Sequence, residues 1–78
     1  MVEAYILVQT QVGQSSAVAR AIQGVAGVAS ADEVAGPYDV IARIQAASVD
    51  DLGRLVIAQI QDVPHITRTT TCTVVHFS

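Results

Sequence analysis

Seventy-eight residues suit one small domain, residues 1–78, and a chain of this length buries only roughly 60% of its unfolded surface. Yet 51% of the residues are hydrophobic and 14% charged, more apolar surface than so small a fold hides, so part of it is expected to lie against other subunits. A net charge of −3 with no lysine and four scattered arginines (Arg20, Arg43, Arg54, Arg68) excludes a cationic cluster for phosphate groups and with it direct nucleic-acid binding; the single cysteine, Cys72, excludes an internal disulfide or a cysteine metal cage.

Met1-Val2-Glu3 leads directly into an alternating strand, with no basic region or cleavage site. No apolar run reaches the ~20 residues that span a bilayer, so a cytoplasmic location is expected. Residues 2–12 are β-branched and aliphatic, with Val2, Ala4, Ile6 and Val8 on one face and Glu3, Tyr5, Leu7 and Gln9 on the other. The second face is mixed in character, which suits a sheet half-covered by a partner. Gly13 breaks the strand, and Ser15 or Ser16 is placed to cap a helix. Val18, Ala21, Ile22 and Val25 recur at helical spacing, and Gly24 and Gly27 end that helix through the left-handed conformation open to glycine.

A second strand is expected over residues 28–34 and a third over 39–45, with Val40, Ala42 and Ile44 on one face. Gly36-Pro37-Tyr38-Asp39 joins them as a hairpin turn. Ser48 followed by Asp51 starts a second helix, where Asp50 and Asp51 suit the positive helix end. Leu52, Leu55, Val56 and Ile60 supply its buried stripe. Gly53 within it costs about 1 kcal/mol relative to alanine, so a close neighbouring backbone is expected there. Pro64 stops the helix, and a threonine-rich last strand runs over residues 66–77.

The order β-α-β-β-α-β is reinforced by an internal echo: Val25-Ala26-Gly27-Val28-Ala29 and Val63-Pro64-His65-Ile66-Thr67 both carry a helix into a strand. The fold class is therefore α+β, a ferredoxin-like antiparallel four-stranded sheet with both helices on one face. The bare face predicts a dimer formed through the sheets, the dimeric α+β barrel.

Two segments narrow the family: Gly36-Pro37-Tyr38-Asp39-Val40, and Val63-Pro64-His65-Ile66-Thr67-Arg68-Thr69-Thr70-Thr71. Together they resemble the effector-binding domain of the Lrp/AsnC regulators, the domain of regulation of amino acid metabolism. That pattern has a glycine-x-tyrosine-aspartate turn and a later proline-glycine-valine-x-arginine/lysine-threonine-x-threonine segment. The resemblance covers essentially the whole chain. His65 stands where the family usually has glycine, and the family's helix-turn-helix half has no counterpart in these 78 residues. The resemblance implies a stand-alone effector-binding and oligomerisation module in amino-acid metabolism or its regulation. It also implies sheet-mediated dimers assembling to octamers or decamers, amino acids or similar metabolites bound between dimers, and full-length regulators as candidate co-assembly partners.

The ligand-binding candidates are Gly36, Tyr38, Asp39, Thr69 and Thr71. Asp39 suits an ammonium and backbone N–H groups near Gly36 a carboxylate; alternatively, Asp39 bonds its own turn. Tyr38 lines the pocket or covers the turn. Thr69 and Thr71 share a face and offer hydroxyls to a zwitterion, or serve strand propensity and packing. Cys72 reads as a small buried packing residue, and His65 and His76 as surface positions without metal spacing. No metal, cofactor or catalytic residue is implied, and the chain is not expected to be an enzyme. The alternative is a cofactor-free monooxygenase or isomerase of the dimeric α+β barrel group, whose pocket lies between sheet and helices. Three aromatics and no asparagine or tryptophan weigh against it.

Overall fold

Ala4, Ile6 and Val8 are fully buried while Tyr5 between them is exposed, so the alternation of the first strand has become a sheet with one covered face. The computed structural model describes residues 1–75. Its elements are β1 (Val2–Thr10), α1 (Ser15–Gln23), β2 (Val28–Glu33), β3 (Val40–Ala46), a second helix α2 (residues 49–61) and β4 (Ile66–Thr73). The strands lie in the order β2-β3-β1-β4, each pair antiparallel. This is the ferredoxin-like α+β arrangement. Ile6, Val8, Val40 and Ile44 of the two central strands meet Val18 and Ile22 of α1 and Ile60 of α2, all seven fully buried or nearly so.

Several local expectations change. β1 ends at Thr10, where the pairing with β4 shifts register at Gln9/Thr10. Val12 is wholly exposed, and Gly13, at φ 82°, turns the chain. α1 is not capped by a serine: Gln14 occupies the cap position without a side-chain bond. The serine hydroxyls go to the Glu33 carboxylate instead, Ser16 at 2.6 Å and Ser15 at 3.3 Å. In α1, Ala21 is exposed and Ala19 is the buried alanine. Gly24 closes the helix with right-handed dihedrals, and the left-handed residue is Gly27, at φ 95°.

α2 starts as its sequence indicates: Ser48 is the cap, and its hydroxyl accepts the Asp51 N–H at 3.1 Å. Its middle, Leu52–Ile57, is a π-helix, with the Ala58 N–H donating to the Gly53 carbonyl. Bonding from i to i+5 widens the turn. The buried residues then fall four apart, at Leu52, Val56 and Ile60, and Leu55 rotates out to 49% exposure. Nothing crowds Gly53; the close approach falls at Gly27, where an added Cβ would lie 2.6 Å from Val56 Cγ2. β4 ends at Thr73, short of the expected 77, and His76 and Phe77 lie outside the described residues. Cys72 is exposed, because its partner across the ladder is Tyr5, on the bare face.

Candidate functional site

The hairpin turn Gly36-Pro37-Tyr38-Asp39 is anchored to the strands beside it. The Asp39 N–H donates to the Val8 carbonyl at 2.9 Å, and the Val34 N–H donates to the Asp39 carbonyl at 3.0 Å. Asp39 does not cap its own turn. Its Oδ2 accepts the Thr10 N–H at 2.8 Å, next to the register shift that leaves this amide outside the regular ladder. A half-buried backbone donor beside a bulge needs such an acceptor. The Gln9 amide donates to the Pro37 carbonyl at 3.0 Å. The Tyr38 hydroxyl lies 3.4 Å from the Thr70 hydroxyl, reaching β4 across β1. Gly36 is exposed, its φ is not left-handed, and a Cβ there would meet nothing.

The threonines separate by strand parity. Thr69 pairs with Val8 and Thr71 with Ile6, so both belong to the helix-bearing face. Thr70 pairs with Leu7, on the bare face. The structure thus gathers Gly36, Tyr38 and Asp39 in one turn and joins Tyr38 to Thr70. Neither Thr69 nor Thr71 hydrogen-bonds the turn among the described residues. Thr69, half-buried, sits at the same end of the sheet, while Thr71 is more exposed. Sequence reasoning passed over Thr70, Gln9 and Thr10. Their alternation marks the face each occupies, but only the strand register shows which of them Tyr38 and Asp39 meet.

The corner between α2 and β4 contains His65 at φ 73°, the one non-glycine residue with positive φ among those described. Its carbonyl accepts the Gln11 N–H at 2.9 Å, and its Nδ1 lies 3.0 Å from the Gln11 side-chain oxygen. His65 therefore holds the left-handed geometry that glycine would adopt freely. The bare face carries one ion pair, Glu3–Arg43 at 3.1 Å, beside Tyr5, Leu7 and Ile41. Among the described residues, no group of three or more His, Cys, Asp or Glu side chains is placed to hold a metal ion. No described helix is long and apolar enough to cross a membrane.

The half-covered βαββαβ sheet thus carries a hairpin turn latched to both a central and an outer strand. The sequence matches the Lrp/AsnC ligand binding domain over residues 3–77, and the chain belongs to that family. No curated protein matches it. Among solved structures, it is similar to TTHA0845 of Thermus thermophilus, at 27% identity and TM-score 0.90, covering 100% of this chain and 98% of that one. It is similar in fold to AsnC of Escherichia coli, at 21% identity and TM-score 0.87, but covers 97% of this chain against 52% of AsnC. The same holds for the transcriptional regulator NMB0573 of Neisseria meningitidis, solved as an L-Met complex: 13% identity, TM-score 0.80, 96% of this chain and 50% of that one. The chain thus spans about half of those two regulators and nearly all of the Thermus protein.

Proposed function

We propose that this domain binds an amino acid or similar small metabolite at the Gly36–Asp39 turn and assembles through the bare face of its sheet, in the service of transcription or amino-acid metabolism. The observation that carries the reading is the placement of Asp39. One carboxylate oxygen is committed to the Thr10 amide, which fixes the group, and the other makes no hydrogen bond with the described residues. A carboxylate so oriented suits an ammonium. Tyr38 and Thr69 flank the same end of the sheet, and Thr71 lies two residues further along β4. That NMB0573 was solved with L-Met supports an amino acid as the ligand class here.

The bare face, with Tyr5 exposed beside Leu7 and Ile41, supports dimerisation by sheet packing, with rings of dimers and co-assembly with full-length regulators as further steps. The space between sheet and helices is filled by Ile6, Ile22, Ile44 and Ile60. An α+β barrel enzyme holds its substrate in that space, so the filling favours a binding module over a catalyst.

Light scattering and calorimetry across the twenty amino acids test the proposal. One or a few should bind and shift the assembly state or melting temperature. Asp39→Asn keeps an acceptor for Thr10 while removing the charge, and should weaken binding about tenfold or more with the fold intact. A monomer indifferent to all twenty would defeat both parts.

A further inference from the structure

The two margins of the sheet, β2 and β4, are built differently. In β2 the Val34 N–H bonds the Asp39 carbonyl. Asp32, of the same parity, therefore turns its backbone toward β3, while Ala31 and Glu33 turn theirs outward. That margin is closed. The Gln23 carboxamide donates to the outward carbonyl of Ala31 at 2.8 Å. Asp32 and Glu33 stand side by side in the same strand, and carboxylates on an outer strand repel a second strand of the same kind.

In β4 the Val74 N–H donates to the Glu3 carbonyl at 2.9 Å. Cys72 and Thr70 share that parity and face β1, so Thr69, Thr71 and Thr73 present their N–H and C=O groups outward. Among the described residues, side chains hydrogen-bond backbone groups of Pro37, Thr10, Ala31 and Asp51, none of them in this row. Thr71 and Thr73 are exposed, and no charged residue occurs from Thr69 to Val75. The row is also self-complementary. A two-fold axis at Thr71 lays it against the partner's Thr71, and Thr69 against the partner's Thr73. Outward groups then meet outward groups, and threonine opposite threonine is a favourable cross-strand pair. Arg68 falls opposite the partner's Val74, so no like charges meet.

We propose that β4 pairs antiparallel with β4 of a second copy of this chain, centred on Thr71, so that the two sheets continue into one. The contact is isologous. It uses the open margin and leaves the bare face uncovered, so it is separate from the face-to-face packing proposed above and does not rest on it.

Native mass by light scattering on the full chain and its variants tests the pairing. Thr71→Asp and Thr71→Arg each set like charges on the two-fold axis at an exposed position, and each should abolish this contact with an unchanged far-UV circular dichroism spectrum. What then remains is dimers joined through the bare face, or monomers if that face does not pair. An equimolar mixture of the two variants should restore the wild-type mass. Leu7→Asp, on the bare face, should leave the β4-paired dimer intact. A crosslink provides a second readout with little change of shape. In a Cys72→Ser background, Thr71→Cys should form an intermolecular disulfide under mild oxidation, because paired Cα atoms lie about 5.5 Å apart. Thr73→Cys should not, since it is displaced from its own copy by roughly 13 Å along the strand. Wild-type mass in both charged variants, an unrestored mixture, or equal crosslinking at 71 and 73 would each overturn the proposal. Pairing of β4 with β2 of another copy would be seen as that unrestored mixture.

Discussion

The two corners that lead from helix to strand, 24–28 and 62–66, have the same backbone path but different surroundings. In each, the two residues that follow the helix donate N–H bonds back to its last turn: Gly24 to Ala21 and Val25 to Ile22, then Asp62 to Gln59 and Val63 to Ile60. In each, a residue with positive φ follows, Gly27 and then His65. In each, that residue's carbonyl accepts the N–H of a glutamine, Gln45 at 2.8 Å and Gln11 at 2.9 Å. The first corner is pressed against Val56 and has no room for a Cβ; the second is exposed and carries an imidazole. A shared backbone geometry thus does not dictate a shared residue. Where the corner packs, glycine is required by space as well as by φ; where it faces solvent, only a modest conformational cost remains.

Five substitutions bear on that comparison. The largest effects should come from the isoleucines that anchor each corner's helix. Ile22→Ala and Ile60→Ala remove fully buried side chains, and each should cost about 3–4 kcal/mol in chemical denaturation. A much smaller cost at one site would mean that the halves are unequally packed. Gly27→Ala combines left-handed strain with the clash at Val56 and should cost about 2–4 kcal/mol. A double-mutant cycle with Val56→Ala should recover about 1 kcal/mol or more of that loss; strict additivity would show that space is not the constraint. Ser48→Ala removes the α2 cap and should cost about 1 kcal/mol, a loss with no counterpart at α1, whose cap position makes no side-chain bond. His65→Gly releases a strained residue and should stabilise the domain by about 0.5–1 kcal/mol, after the added freedom of the unfolded chain is set against it. A loss instead would mean that the ring's contact with Gln11 outweighs the strain.

The fold was legible because its signals are periodic. The alternation in residues 2–8 and 40–44 marked the covered face, the internal echo marked the two halves, and Ser48 marked a helix start. What escaped the sequence was non-local. Ala19 rather than Ala21 is buried because α1 leans onto β2, and Leu55 leaves the core because six residues of α2 adopt the wider π turn. Cys72 is exposed because its ladder partner is Tyr5, a fact of register that one strand does not disclose. The turn residues Gly36, Tyr38 and Asp39 were recognisable as a unit. Their hydrogen-bond partners, Thr10 and Thr70, were not, since one depends on a bulge and the other on a contact across an intervening strand.

Threonine in β4 has a further consequence. This strand lies at the margin of the sheet, so one row of its backbone N–H and C=O groups has no neighbouring strand among the described residues. Such a margin is where sheets recruit unwanted strands and begin to aggregate. Valine at positions 67, 69, 70, 71 and 73 would keep the β-branched shape and the strand propensity, but would present a greasy ribbon beside an open hydrogen-bonding row. Threonine has nearly the same shape and a hydroxyl in place of one methyl. In a chain with so few charges to keep copies apart, these hydroxyls keep the strand more polar than valine would.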